Sequence, residues 1–225
     1  MLKELWLENN KKDCSKWIHY FDIYERHLNK FVGKPVTYLE IGVQRGGCLS
    51  LMKKYLGEQA RIIGIDIDSN CNPQGNEFYL GSQEDPAFLY NMANQVGGFD
   101  IILDDGGHTA NQQVTSFFTL FPFLRDGGVY IVEDLHCSQY WVGYQHSNLG
   151  LNFIDVAKGL SDKLSLWHMR EDWFHNRYNI PVEQRDDRGI KHNNFAANSI
   201  SSVCFYDSLI AIEKNKIPEP YQDVR

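Results

Sequence analysis

The stretch FDIILDDGGH, Phe99 to His108, constrains this chain more than any other ten residues. Its apolar run, Ile101-Ile102-Leu103, reads as a strand buried on both faces. The run delivers two adjacent carboxylates, Asp104 and Asp105, into a glycine turn, and His108 follows. Open α/β sheets bind their ligands at that end of the strands. A second run, Val129-Tyr130-Ile131-Val132, repeats the device and delivers Glu133-Asp134. Two neighbouring strands that end in acidic pairs aim several carboxylates at one point. Hard divalent cations such as Mg2+ take oxygen ligands of that kind, so Asp105, Glu133 and Asp134 are the candidate metal ligands. His108 is the candidate base, because an imidazole titrates near neutral pH and can take a proton from an acidified hydroxyl.

The chain before this stretch prepares it. The segment Val36 to Gly42 reads as a strand, Val43 to Cys48 as a glycine-rich turn and Leu49 to Leu56 as a helix. Strand, glycine turn, helix is the opening of a nucleotide-binding α/β unit, in which Gly42, Gly46 and Gly47 let the backbone approach a ligand. Gln44 stands where a dinucleotide fingerprint would have its second glycine. A second strand, Arg61 to Asp66, ends in a carboxylate placed to accept hydrogen bonds from ribose hydroxyls, which suits NAD and S-adenosylmethionine alike. A third short strand, Glu77 to Leu80, precedes Gln83, a candidate adenine contact. Asp85-Pro86 reads as a cap opening a helix through about Gln95, and Thr109 to Leu124 as another helix.

The flanks are less regular. Trp17, Tyr20, Phe21, Tyr24, Leu28 and Phe31 recur at helical spacing. They predict an N-terminal helix over residues 1–34 that packs on the core, or a lid whose Tyr20, Tyr24 or His27 touches substrate. Residues 136–150 read as a loop rich in aromatics, 151–160 as a helix, 171–198 as an irregular excursion and 218–225 as a mobile tail, leaving 35–217 as one α/β domain. Ile200 to Tyr206 and Leu209 to Lys214, joined by Asp207-Ser208, predict an antiparallel hairpin.

Charge and cysteine usage remove several function classes. A net charge of −7 with no basic run excludes nucleic acid and an anionic membrane surface as main partners. The five cysteines are scattered without a Cys-x-x-Cys pair, which argues for reduced thiols rather than disulfides or zinc. No apolar core of signal-peptide length and no apolar window of membrane-spanning length occurs, so a soluble cytoplasmic protein is expected.

The predicted fold is a Rossmann-like α/β sheet, mostly parallel, closed by a C-terminal antiparallel hairpin with helices on both faces. That closure is the arrangement of class I methyltransferases, whereas a nicotinamide dehydrogenase more often continues with a parallel strand. Taken together, LEIGVQRGG, GIDID, DDGGH and VEDL resemble the metal-dependent class I methyltransferases that methylate sugar hydroxyls. Kin include the macrolide and rhamnosyl sugar O-methyltransferases and the family named for cephalosporin hydroxylase. The resemblance implies that Glu40, Gly42 and Gly46 form the methionine-side loop for S-adenosylmethionine and that Asp66 is the ribose carboxylate. It implies Asp105, Glu133 and Asp134 as magnesium ligands and His108 as base, while Asp104 turns to the other side of the strand, toward the cofactor or a helix amide. Catechol-type O-methyltransferases share the layout, with lysine where this chain has His108. The macrolide enzymes carry a long extra N-terminal domain that these residues do not include, so a homo-oligomer stays open. The expected activity is Mg2+-dependent O-methylation of a sugar or glycosylated small molecule. Against it stand a catechol or phenol acceptor, a Rossmann oxidoreductase using NAD, and a non-catalytic binding protein.

Overall fold

The computed structural model describes residues 1–8, 13–166 and 199–218. The excursion expected at 171–198 lies outside the described residues, as does nearly all of the tail expected at 218–225. Seven strands form one sheet: β1 (Thr37–Ile41), β2 (Arg61–Asp66), β3 (Glu77–Leu80), β4 (Phe99–Asp104), β5 (Leu124–Val132), β6 (Ile200–Tyr206) and β7 (Leu209–Lys214). Their order is β3-β2-β1-β4-β5-β7-β6. The first five are parallel, and β7 pairs antiparallel with both β5 and β6. The Rossmann-like sheet with its closing hairpin is therefore as the apolar runs predict.

Among the described residues seven α-helices accompany the sheet: α1 (Leu2–Glu8), α2 (Tyr20–Leu28), α3 (Gly47–Leu56), α4 (Pro86–Val96), α5 (Ala110–Leu120), α6 (Leu135–Tyr140) and α7 (Phe153–Ser161). Local chemistry sets several of their ends. Asp85 caps α4 by accepting from the Ala87 and Phe88 amides, with Pro86 at the first helical position. Thr109 and Gln112 form a reciprocal capping box at the start of α5, an arrangement worth about 1 kcal/mol. Pro122, which has no N–H to donate, falls in a 3-10 turn, Phe121–Phe123, so α5 stops short of the expected Leu124. The aromatic stripe near the N-terminus is also shorter than its spacing predicts. It is helical only from Tyr20 to Leu28, with a 3-10 turn at Asn29–Phe31, and Trp17 faces solvent. The short helix α6 occupies a segment read as loop, because it is not long enough to display a full apolar period.

Strand alternation divides the core into two layers. Ile102, Tyr130 and Val132 pack with Val114, Phe117 and Phe153 on the α5 and α7 side. Ile101, Leu103, Val129 and Ile131 pack with Tyr20, Phe21, Tyr24 and Leu2 on the other side. Each such fully buried side chain adds roughly 1.5–3 kcal/mol of hydrophobic stabilisation. Leu2, Tyr20, Phe21, Ile23, Tyr24, Leu28 and Phe31 of the N-terminal segment thus belong to the core, and His27 is buried beside them. His27 Nε2 lies 2.9 Å from the Tyr206 hydroxyl and Nδ1 3.1 Å from Glu213. Among the described residues no helix is long and apolar enough to cross a membrane.

Candidate active site

Strand order reverses direction between β1 and β4, which opens a crevice at their carboxyl ends. Backbone bonds lace this end together. The Asp105 amide donates to the Ile41 carbonyl and the Glu133 amide to the Asp104 carbonyl, both at 3.0 Å. The alternation that splits the core then separates the first acidic pair. Asp104 turns toward α5, fully buried, and accepts from the Ser116 hydroxyl and, at 3.0 Å, from the Gln83 amide. Asp105 and Glu133 turn the other way, toward the N-terminal segment. Burial pushes the Asp104 carboxyl above its usual range, and the Ser116 and Gln83 hydrogen bonds oppose that shift.

A cavity of about 460 Å³ sits over this edge, lined by Glu40, Gly42, Asp105, His108, Glu133 and Asp134 together with residues 13–17 and Tyr20. Ligand atoms of Asp105, His108 and Asp134 lie within 4.8 Å of one another. His108 Nε2 is 3.9 Å from Asp105 Oδ1 and 3.7 Å from Asp134 Oδ2. Its Nδ1 is buried without a hydrogen-bond partner. Among the described residues five non-glycine residues have positive φ, and Gln44 (46°), His108 (58°) and Asp134 (52°) line this cavity. That left-handed conformation costs about 1–2 kcal/mol for an ordinary L residue, and such strain concentrates at functional sites.

Glu133 is buried and held by three groups that sequence reasoning did not assign to it. The Tyr24 hydroxyl donates to Glu133 Oε1, the Lys16 ammonium lies 2.9 and 3.1 Å from its two oxygens, and the buried Gln113 amide donates to its backbone carbonyl at 2.9 Å. Lys16 Nζ also lies 2.5 Å from Asp105 Oδ2. Burial pushes the Glu133 carboxyl well up, with Lys16 opposing. Burial also works against the lysine charge, but Asp105 and Glu133 outweigh it and hold the ammonium protonated. Tyr20 was one of three residues read as a substrate contact. Its hydroxyl donates to Asp134 Oδ1 at 2.8 Å, and burial pushes that phenol far above its usual range. Glu40 is buried beside Tyr38, whose hydroxyl donates to it at 2.9 Å, and desolvation pushes its carboxyl up to about 7. The donor set fits a hard divalent cation: three carboxylates and an imidazole face one cavity, and a lysine ammonium already stands between two of the carboxylates.

The glycine loop lies on the neighbouring side. A smaller cavity of about 200 Å³ is lined by Gly42, Asp66, Gln83, Gly106 and Gln112 among others. Asp66 Oδ2 accepts the Val43 and Gln44 amides at 2.8 and 3.0 Å, so it braces the loop as well as facing the cavity. A carboxylate oxygen has a further lone pair for a ribose hydroxyl. Gln83 bridges Asp104 and the Gly107 amide, the latter at 2.8 Å, at the edge of the same cleft. Gly46, at φ 72°, ends the loop at the amino end of α3, where unpaired backbone amides favour an anionic group.

No family model matches the chain. It is 32% identical over 215 residues to an 8-demethyl-8-(2-methoxy-alpha-L-rhamnosyl)-tetracenomycin-C 3'-O-methyltransferase of Streptomyces olivaceus, covering 90% of this chain and 51% of that protein. It is 34% identical over 172 residues to the demethylmacrocin O-methyltransferase of Streptomyces fradiae, covering 70% of this chain and 43% of the relative. The chain spans about half the length of the curated relatives it matches. Among solved structures it is similar to the MycE methyltransferase of the mycinamycin biosynthetic pathway, in complex with Mg and SAH. The TM-score is 0.76 and the identity 26%, over 99% of this chain and 55% of that one. By its sheet order, its crevice and these likenesses, the chain has the fold of the class I methyltransferases.

Proposed function

We propose that the protein is an S-adenosylmethionine-dependent O-methyltransferase that requires a divalent cation and acts on a hydroxyl of a sugar or glycosylated small molecule. One observation carries this reading: Asp105, His108, Glu133 and Asp134 line one cavity, beside the glycine loop and Asp66. The tetracenomycin relative, whose name specifies a rhamnosyl compound methylated at a 3' oxygen, supports the acceptor class. The MycE complex with Mg and SAH supports the cofactor pair. Residues 35–217 are read as the transfer domain and 1–34 as its covering segment.

Asp105, Glu133 and Asp134 would hold the cation, which makes a nearby hydroxyl more acidic. S-adenosylmethionine supplies the electrophilic methyl group, seated by Gly42, Gly46 and Asp66. His108 takes the acceptor proton at Nε2, the ring nitrogen turned to Asp105 and Asp134. Tyr20 and Tyr24 fix the Asp134 and Glu133 carboxylates, so the remaining demand is in-line positioning of methyl and oxygen.

The test is transfer of labelled methyl from S-adenosylmethionine to a panel of deoxysugar glycosides and catechols, with and without chelator. The expected result is cation-dependent transfer to the glycosides. Full transfer in EDTA would overturn the cation requirement. Preferential methylation of catechols would reassign the acceptor, and tight NAD binding without S-adenosylhomocysteine binding would reassign the cofactor.

A further inference from the structure

Lys16 occupies the place where the acidic cluster most needs positive charge. Its side chain is only 2% exposed, and its ammonium spans Asp105 Oδ2 and both Glu133 oxygens. The three contacts match the three donors of an ammonium group. Lys16 is carried by a segment with neither helical nor strand backbone, Asp13 to Trp17, between α1 and α2. That segment lies across the amino end of α3. Asp13 Oδ2 accepts from the Gln74 amide at 2.9 Å, and the Asp13 backbone approaches Gly47 so closely that a Cβ there would meet it at 2.7 Å. Cys14 packs against the Cys48 thiol, one residue into the same helix.

We propose that Lys16 is a tethered stand-in for the divalent cation, holding Asp105 and Glu133 together in the cation-free protein. It must leave them when the cation enters, drawing Asp13 to Trp17 off the start of α3. This inference rests on the cation requirement proposed above. Two like charges at the same carboxylate oxygens repel strongly, so an ammonium and a divalent cation cannot share them. A single lysine charge offsets one of two carboxylates, whereas a divalent cation offsets both. The exchange is therefore favourable but competitive, and the apparent cation affinity is lowered by the fraction of molecules in which Lys16 is seated. The segment that moves borders the cavity shared with the glycine loop, so cation entry and access to the cofactor cleft are linked.

The experiment uses the full chain without cofactor or acceptor. Mn2+ affinity is measured by electron paramagnetic resonance for the wild type and for Lys16→Met, which keeps side-chain bulk and removes the charge. Lys16→Met is expected to bind Mn2+ roughly tenfold more tightly. In a second measurement, which does not need Lys16→Met, iodoacetamide labelling of Cys14 is followed by mass spectrometry. Mg2+ is expected to accelerate it severalfold in the wild type and not in Asp105→Asn. Equal or weaker Mn2+ binding by Lys16→Met would overturn the stand-in and leave the cation site intact. So would cation binding that leaves Cys14 labelling unchanged, which decides the matter even if Lys16→Met does not fold. Absence of saturable Mn2+ binding to either protein would overturn the cation reading itself.

Discussion

The Tyr20 hydroxyl donates to Asp134 Oδ1 at 2.8 Å, joining the first turn of α2 to the second residue after β5 across 114 positions of sequence. One turn later on the same helix face, Tyr24 donates to Glu133. The N-terminal helix therefore orients both carboxylates of the second acidic pair and is a supporting wall of the site. Removing such a partner from a metal ligand typically costs 10–100-fold in metal affinity. Tyr24→Phe is expected to weaken Mn2+ binding by about tenfold or more, with S-adenosylhomocysteine affinity unchanged. Tyr20→Phe is expected to be milder, because Asp134 is partly exposed and has water as an alternative donor. Mn2+ titration with parallel calorimetry of S-adenosylhomocysteine reads both. An equal loss of the two affinities would mean that the tyrosine holds the fold rather than the ligand.

Asp105→Asn and Glu133→Gln separate cation from cofactor. Asp66 holds the Val43 and Gln44 amides, and Glu133 lies outside the cofactor-side cavity, which Asp105 only borders. Both variants are expected to lose methyl transfer to background while retaining S-adenosylhomocysteine binding within a few-fold. Loss of cofactor binding in calorimetry would show that the two halves of the crevice are not independent.

His108→Gln tests the base. Proton transfer by a positioned side chain contributes about 10²–10⁴-fold, and that is the expected fall in kcat, with KM for the acceptor nearly constant. Mn2+ affinity is the discriminating measurement, because His108 also lies within ligand distance of Asp105 and Asp134. A collapse of cation affinity in this variant would make His108 a ligand instead.

Gly42 sits at φ 92°, and a Cβ there would lie 2.2 Å from the Asp105 carbonyl oxygen. The loop and the end of β4 approach each other only because this residue has no side chain. Gly42→Ala combines backbone strain with a clash against main chain, and the expected cost is roughly 2–4 kcal/mol. Urea denaturation of the purified variant measures it. A loss below about 0.5 kcal/mol, the usual range for surface changes, would show that the close approach relaxes freely.

Glu40 gives the stability curve a pH slope. Desolvation raises its carboxyl from the ordinary 4.5 to about 7, Lys16 opposing and Asp105 adding. Between those values the unfolded chain gives up the proton while the folded protein keeps it. Stability therefore falls as pH rises across that window, by roughly 3 kcal/mol in all at about 1.4 kcal/mol per unit, and levels off above it. Glu40→Gln lacks this contribution. Relative to the wild type it should gain stability progressively from pH 5 to 7 and no further by pH 8. Denaturant midpoints at four pH values provide the check, and a pH-independent difference would refute the raised carboxyl.

Much of this site was legible locally. Ile101 to Leu103 and Val129 to Val132 are apolar runs too short and too continuous for anything but buried strands, so Asp105 and Glu133 could be placed at strand ends without a structure. The split between Asp104 and Asp105 followed from the two-residue period of a strand, and Asp104 is indeed turned to the α5 side. The spacing of apolar positions alone overextended α5 to Leu124, and the Thr109–Gln112 capping box that starts it comes from the structure. Helix α6 and the early stop of the N-terminal stripe were not legible, because pieces of one or two turns show too few apolar positions to declare a period.

The sequence by itself determined the parallel strands, the closing hairpin, the acidic pairs at strand ends and the glycine turns, all written in contiguous residues. Only the tertiary structure decided what neutralises those carboxylates. Lys16 meets Glu133 across 117 positions and Asp105 across 89, and Tyr24 meets Glu133 across 109. No local period encodes such meetings. They depend on how α2 packs against Ile101, Leu103, Val129 and Ile131, a choice made by the shape and burial of the whole apolar layer. A lone lysine in an irregular segment carries no signal of its own until that packing seals it against the Asp105 and Glu133 carboxylates.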